Sequence, residues 1–118
     1  MKGRRRTPEG PTHFLRFEGV PQKDNPDYLE FGGAFINCWV RAPSLEAART
    51  TARAEIADAG WTIIEDIEAY IIERTDYTDD QQTAIDRFDQ AQIDGEVYEF
   101  NTYPPEDLDD DEDDESGG

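Results

Sequence analysis

The chain carries one cysteine, Cys38, and one histidine, His13. A nucleophile needs a base within hydrogen-bond reach, and these two are the first candidates for such a pair. Cys38 lies inside "AFINCWVRA", where it alternates with Ala34, Ile36 and Val40. In that place it reads as a small buried hydrophobe rather than a reactive thiol. Ser44 stands just ahead of a helix-like run, so its hydroxyl reads as an N-cap. One Cys and one His cannot supply the four ligands of a structural zinc site. The acidic run "DLDDDEDDE" lacks the glycine turn and terminal glutamate of an EF-hand loop, so it implies only loose cation binding. No metal and no cofactor is expected, and a single cysteine allows no internal disulfide.

Carboxylates offer the other route to chemistry. Glu65, Asp66 and Glu68 cluster in one segment, and Asp76, Asp79 and Asp80 in another. Acid–base catalysis needs one such group moved well above its usual titration range by burial or a like charge. A small acid–base enzyme using Glu65 or Asp66 is therefore one reading. Phosphate binding has no support. Gly32 and Gly33 precede a strand rather than a helix, and Lys23 lies in a loop.

The elements that must hold these residues follow from periodicity. "HFLRFEGV" alternates as a first strand, with His13, Leu15 and Phe17 on one face. "AFINCWVRA" is a second strand with an apolar even face and Phe35, Asn37, Trp39 and Arg41 on the other. Leu45, Ala48, Ala52, Ile56 and Ala59 step by three and four, which predicts a helix over 45–59 stopped by Gly60. "WTIIEDIEAYIIERTDY" is long for one strand, so a bulge or a turn is expected near Glu65 and Asp66. Thr78 and Gln81 have capping-box spacing, which predicts a second helix over 79–93 with Ala84, Ile85, Phe88 and Ala91 buried. "EVYEFNTY" is the last strand, ended by Pro104 and Pro105.

This order predicts an α+β domain, a mainly antiparallel sheet with two helices on one face, ferredoxin-like or related. The strand followed by "SLEAA" and an alanine-rich helix resembles small antitoxins of the HicB type over a short part of the chain. The Gly-Cys turn before such a helix and a DNA-binding tail are both missing, and no function is carried over.

Acidity bounds the partners. The formal charge is −18, from 29 acidic and 11 basic side chains. Residues 1–11 read as a flexible basic arm, residues 12–105 as one domain, and residues 106–118 as a disordered acidic tail. The domain between the two ends is itself acidic, so it should repel nucleic acid and anionic membranes and favour basic proteins. Only two lysines, Lys2 and Lys23, occur beside many aspartates, a surface suited to solubility in high salt. No segment approaches a membrane span and no secretory signal is present, so a cytoplasmic location is expected.

The remaining signal is a surface. Phe35, Trp39 and Arg41 share one strand face, and exposed aromatics beside Arg are typical of contacts. The sequence thus favours a non-enzymatic binding or regulatory module, self-associating or binding a protein partner through an aromatic open sheet face. An acidic inhibitor that imitates nucleic acid against a basic partner is the alternative.

Overall fold

The computed structural model describes residues 10–105. The expected basic arm and acidic tail lie outside the described residues, apart from the last residues of the arm. The chain order is β1 (Thr12–Pro21), β2 (Gly33–Arg41), α1 (Leu45–Asp58), β3 (Trp61–Ile71), a short 3-10 turn (Arg74–Asp76), α2 (Gln82–Asp94) and β4 (Glu96–Tyr103). The strands form one sheet in the order β3-β1-β2-β4, with every neighbouring pair antiparallel. β2 and β3 therefore run in the same direction with β1 between them.

α1 begins where the sequence places it. Ser44 has extended backbone and its hydroxyl accepts from the Ala47 amide at 3.1 Å. Its buried stripe is Ala48, Ala52 and Ile56, small enough for the helix axis to lie close to the sheet. The strand residues beneath are Leu15 and Phe17 of β1 and Ala34, Ile36, Cys38 and Val40 of β2. Gly60 follows at φ 94°, which a side-chain-bearing residue rarely adopts. The loop after β1 is tied to this turn, because Asn25 Nδ2 donates to the Gly60 carbonyl at 2.8 Å.

The second helix corrects the expected architecture. α2 lies on the opposite side of the sheet, where Phe88 and Ala91 pack with Trp39 and Ile72. The two helices are thus not on one face; the sheet is a middle layer with a helix on each side. The element order β-β-α-β-α-β and the strand order also differ from the ferredoxin-like β-α-β-β-α-β unit. The physical reason lies in β2. Its odd positions include an indole as well as its even positions being apolar, and both sides need cover. A helix's own period reports that one stripe is buried but not against which face.

α2 also starts later than expected. The Thr78 amide donates to Gln81 Oε1 at 2.9 Å and the Gln81 amide donates to the Thr78 carbonyl at 2.9 Å. The capping-box residues close a separate turn, and the helix follows over Gln82–Asp94, ended by Gly95 at φ 90°.

β3 carries the irregularity expected near Glu65 and Asp66. Its register with β1 shifts twice, leaving Ile64 and Ile67 without opposite residues. Each extra residue inverts the alternation of side chains. Between the shifts, Glu65 is turned away from α1 and Asp66 toward it; beyond them Ala69 returns to the α1 side.

Trp39 is only 3% exposed, and its indole nitrogen donates to the Tyr77 hydroxyl at 2.9 Å. Trp39→Ala is expected to cost about 3 kcal/mol, the usual scale for removing a buried indole. Urea denaturation of the variant beside the wild type measures it.

Candidate functional site

The sheet face toward α2 is organised in cross-strand rows, because directly paired residues share a face. One row runs Tyr70, Phe14, Trp39, Val97. The next runs Glu68, Arg16, Asn37, Glu99, and the third Glu65, Glu18, Phe35, Asn101. The aromatic row is the one that α2 covers. Phe14 meets Trp39 edge-on with ring centroids 5.3 Å apart, and Tyr70 lies 5.5 Å from Phe14 on the other side.

The second row lies beside the start of α2, and here the sheet and the 81–84 segment leave a cleft of about 520 Å³. Phe14, Trp39, Tyr70 and Tyr77 supply its aromatic lining, with Arg16 and Asn37 between the strands' acids Glu68 and Glu99. Burial raises the pKa of both Tyr70 and Tyr77, and Glu68 adds to the rise at Tyr70, so both hydroxyls stay protonated.

The polar row is not closed on itself. Asn37 Nδ2 donates to Glu99 Oε1 at 3.3 Å, and Arg87 of α2 pairs with the other Glu99 oxygen at 3.4 Å. The Arg16 guanidinium carbon sits 5.6 Å from the centre of the Phe35 ring. Arg16 Nε and Asn37 Oδ1 are buried and have no hydrogen-bond partner. A donor and an acceptor, on two residues that are paired across β1 and β2 and both line the cleft, are thus unsatisfied.

A second surface follows the outer edge of the sheet. β3 has no strand beyond it among the described residues. Along it Ile64, Ile67 and Ile71 are 56%, 39% and 55% exposed.

Of the expected interaction residues, only Phe35 is exposed on the open part of the sheet. Trp39 belongs to the core under α2, which corrects its place on an open face. Arg41 is half-buried, and its Nε donates to the Gly10 carbonyl at 3.2 Å.

The candidate chemical groups are not brought together. Glu65 and Asp66 occupy opposite faces of the sheet. Asp66 is clasped by Arg49 Nε at 2.8 Å and Arg53 Nη2 at 3.3 Å. The Arg49 hydrogen bond, with a smaller share from Arg53, holds its carboxyl below the ordinary range, opposite to what a general acid requires. Cys38 is fully buried, and burial pushes its thiol up, away from the thiolate. His13 is also buried, on the α1 side of the sheet, with no partner at Nδ1. Ser44 is used as a cap, Asp76 accepts from the Glu73 amide, and Asp80 accepts from the Thr78 hydroxyl. Among the described residues no three His, Cys, Asp or Glu side chains gather as a metal site, and no helix is long and apolar enough to cross a membrane.

The Arg16–Asn37 pair escapes a sequence reading. Its one signal is on β2, where Asn37 stands between Phe35 and Trp39; Arg16 stands between Phe14 and Glu18 and is not marked out. No protein-family model, no curated protein and no solved structure matches the chain.

The clasp on Asp66 has a pH signature. A lowered folded pKa contributes stability that is full above the unfolded carboxylate value of about 3.9 and is lost as pH falls through the folded value. The groups are partly solvated, so Asp66→Asn is expected to cost about 0.5–1 kcal/mol at neutral pH. The difference from wild type should close in strong acid. Thermal melts of both proteins from neutral pH to pH 2 check the size and the direction.

Proposed function

We propose that this chain is a small, acidic, non-enzymatic binding module that engages a basic protein partner through the outer edge of β3. The observation that carries the reading is the run of exposed isoleucines, Ile64, Ile67 and Ile71, on an edge strand. Folded domains seldom leave a long apolar edge uncovered, because it invites association. Glu65, Glu68 and Glu73 are interspersed with or follow these isoleucines in the same stretch. An apolar strip among acids matches a partner whose apolar contact is flanked by Lys or Arg. The overall charge of −18 supports the same choice. A second copy would present the same acids and meet like-charge repulsion. The two bulges interrupt the regular edge ladder, so side-chain packing rather than addition of a long strand is the expected mode. Phe35 extends the available apolar surface on the open part of the sheet.

The test uses an immobilised synthetic peptide of alternating valine and lysine as a basic, apolar probe. Replacing Ile64, Ile67 and Ile71 together by Ser keeps the net charge and removes the apolar strip. Binding should weaken by at least about tenfold, equivalent to about 1.4 kcal/mol, with an unchanged circular dichroism spectrum. Equal binding by wild type and variant, collapsing alike as salt rises, would instead assign the acidity to charge mimicry of nucleic acid. Sedimentation of the wild type should show a monomer at low salt. A dimer abolished by the same three substitutions would give the edge to a second copy and overturn the foreign partner.

A further inference from the structure

We propose that the cleft between the sheet and the start of α2 binds a small, neutral, planar ligand with an adjacent hydrogen-bond acceptor and N–H donor, such as a nucleobase or other lactam ring. The inference is independent of the β3 edge. It starts from Arg16 Nε, a donor, and Asn37 Oδ1, an acceptor, both buried and unpartnered. Folded proteins leave few such groups unsatisfied, and each orphan costs about 1–3 kcal/mol. Arg16 and Asn37 are direct register partners across β1 and β2, and both line the cleft. A ring carbonyl beside a ring N–H matches them in sense: the carbonyl accepts from Arg16 and the N–H donates to Asn37.

The Asn37 amide has a defined orientation. Its Nδ2 donates to the Glu99 carboxylate, which only accepts, so Oδ1 is the atom left over. The walls argue for a flat ring. Phe14, Trp39, Tyr70 and Tyr77 all line the cleft, and aromatic faces stack on heterocycles with little dependence on their substituents. The volume of about 520 Å³ accommodates a single heterocycle with room for water; small-molecule sites span roughly 300–1,000 Å³.

Charge selects a neutral ligand. Glu68, Glu99 and Asp80 line the same cleft as Arg16, and Arg87 is engaged by Glu99. A phosphate-bearing ligand would bring further negative charge against three carboxylates in a strongly acidic chain. A free base or lactam avoids that repulsion, and so does a cyclic amide from another source.

Uracil and hypoxanthine are suitable probes for the full-length chain, read by thermal shift and by tryptophan fluorescence. At about ten times its Kd, a bound probe should raise the melting temperature by about 5 °C. N1,N3-dimethyluracil keeps the ring and carbonyls but has no N–H, and it should bind at least tenfold more weakly, on the order of one lost buried hydrogen bond. Asn37→Leu and Arg16→Met should each abolish the shift; each removes an orphaned polar atom together with a made contact, Asn37 with Glu99 and Arg16 with Phe35, so each is read against its own unliganded melt. Uridine monophosphate should bind more weakly than uracil at low salt. The proposal is overturned if neither probe shifts melting, if the dimethylated ring binds as well as uracil, or if the phosphate improves binding. The dimethyl comparison is made on wild-type protein, so it decides the matter even where a variant fails to fold.

Discussion

A strand with an apolar face on one side and an indole on the other needs cover on both. β2 is such a strand, with Ala34, Ile36, Cys38 and Val40 on one side and Trp39 on the other. Its position inside the sheet, flanked by β1 and β4, satisfies its backbone and leaves its two faces to be covered. α1 covers one with a stripe of alanines that lets it lie close. α2 covers the other with Phe88 and Ala91 over the indole. The three-layer arrangement follows from the side chains of this one strand, and the cleft follows from how far α2 reaches. Because the helix begins at Gln82, after a separate turn, the row of Arg16 and Asn37 is bordered by its first residues rather than sealed beneath its middle.

The arginines show how an acidic chain holds such layers together. Arg49 and Arg53 join α1 to Asp66 of β3. Arg87 joins α2 to Glu99 of β4, and Arg74 joins the turn after β3 to Asp89 of α2. Each described ion pair links separate parts of the chain, and in each the cation is a guanidinium. Exposed pairs contribute little individually. Their placement matters more, since these contacts occur where helix or turn meets its neighbour, while many carboxylates elsewhere are left to solvent.

Local signals were legible wherever one residue type answers one backbone need. Ser44 caps α1, Gly60 and Gly95 take the left-handed conformations that end the helices, and the run after Trp61 is too acidic at its centre to alternate unbroken. The face chosen by α2 was not legible, because the period of Ala84, Ile85, Phe88 and Ala91 is the same whichever side of a sheet it meets. Thr78 and Gln81 misplaced the helix start for a related reason: the same pair of side chains can close a turn or cap a helix. The cleft depended on both unknowns. Its residues come from β1, β2, β3, β4 and the start of α2, and neither the spacing nor the type of Arg16 and Asn37 reveals that their polar atoms go unpaired.

The two bulges in β3 behave as a matched pair of phase shifts. Ile64 reverses which side each later residue faces, and Ile67 restores it. The segment between them is inverted relative to an unbroken strand, while everything outside keeps its phase. Deleting either extra residue would remove its bulge and leave the pairs on both sides of it, Ala69 with Leu15 and Tyr70 with Phe14 included, as they are. An unbroken ladder of the same length would instead set Glu65 opposite Phe17, where Asp66 now meets Arg49 and Arg53, and would move Ala69 from Leu15 to His13. The two extra residues are therefore what brings Asp66, and not Glu65, within reach of the α1 arginines.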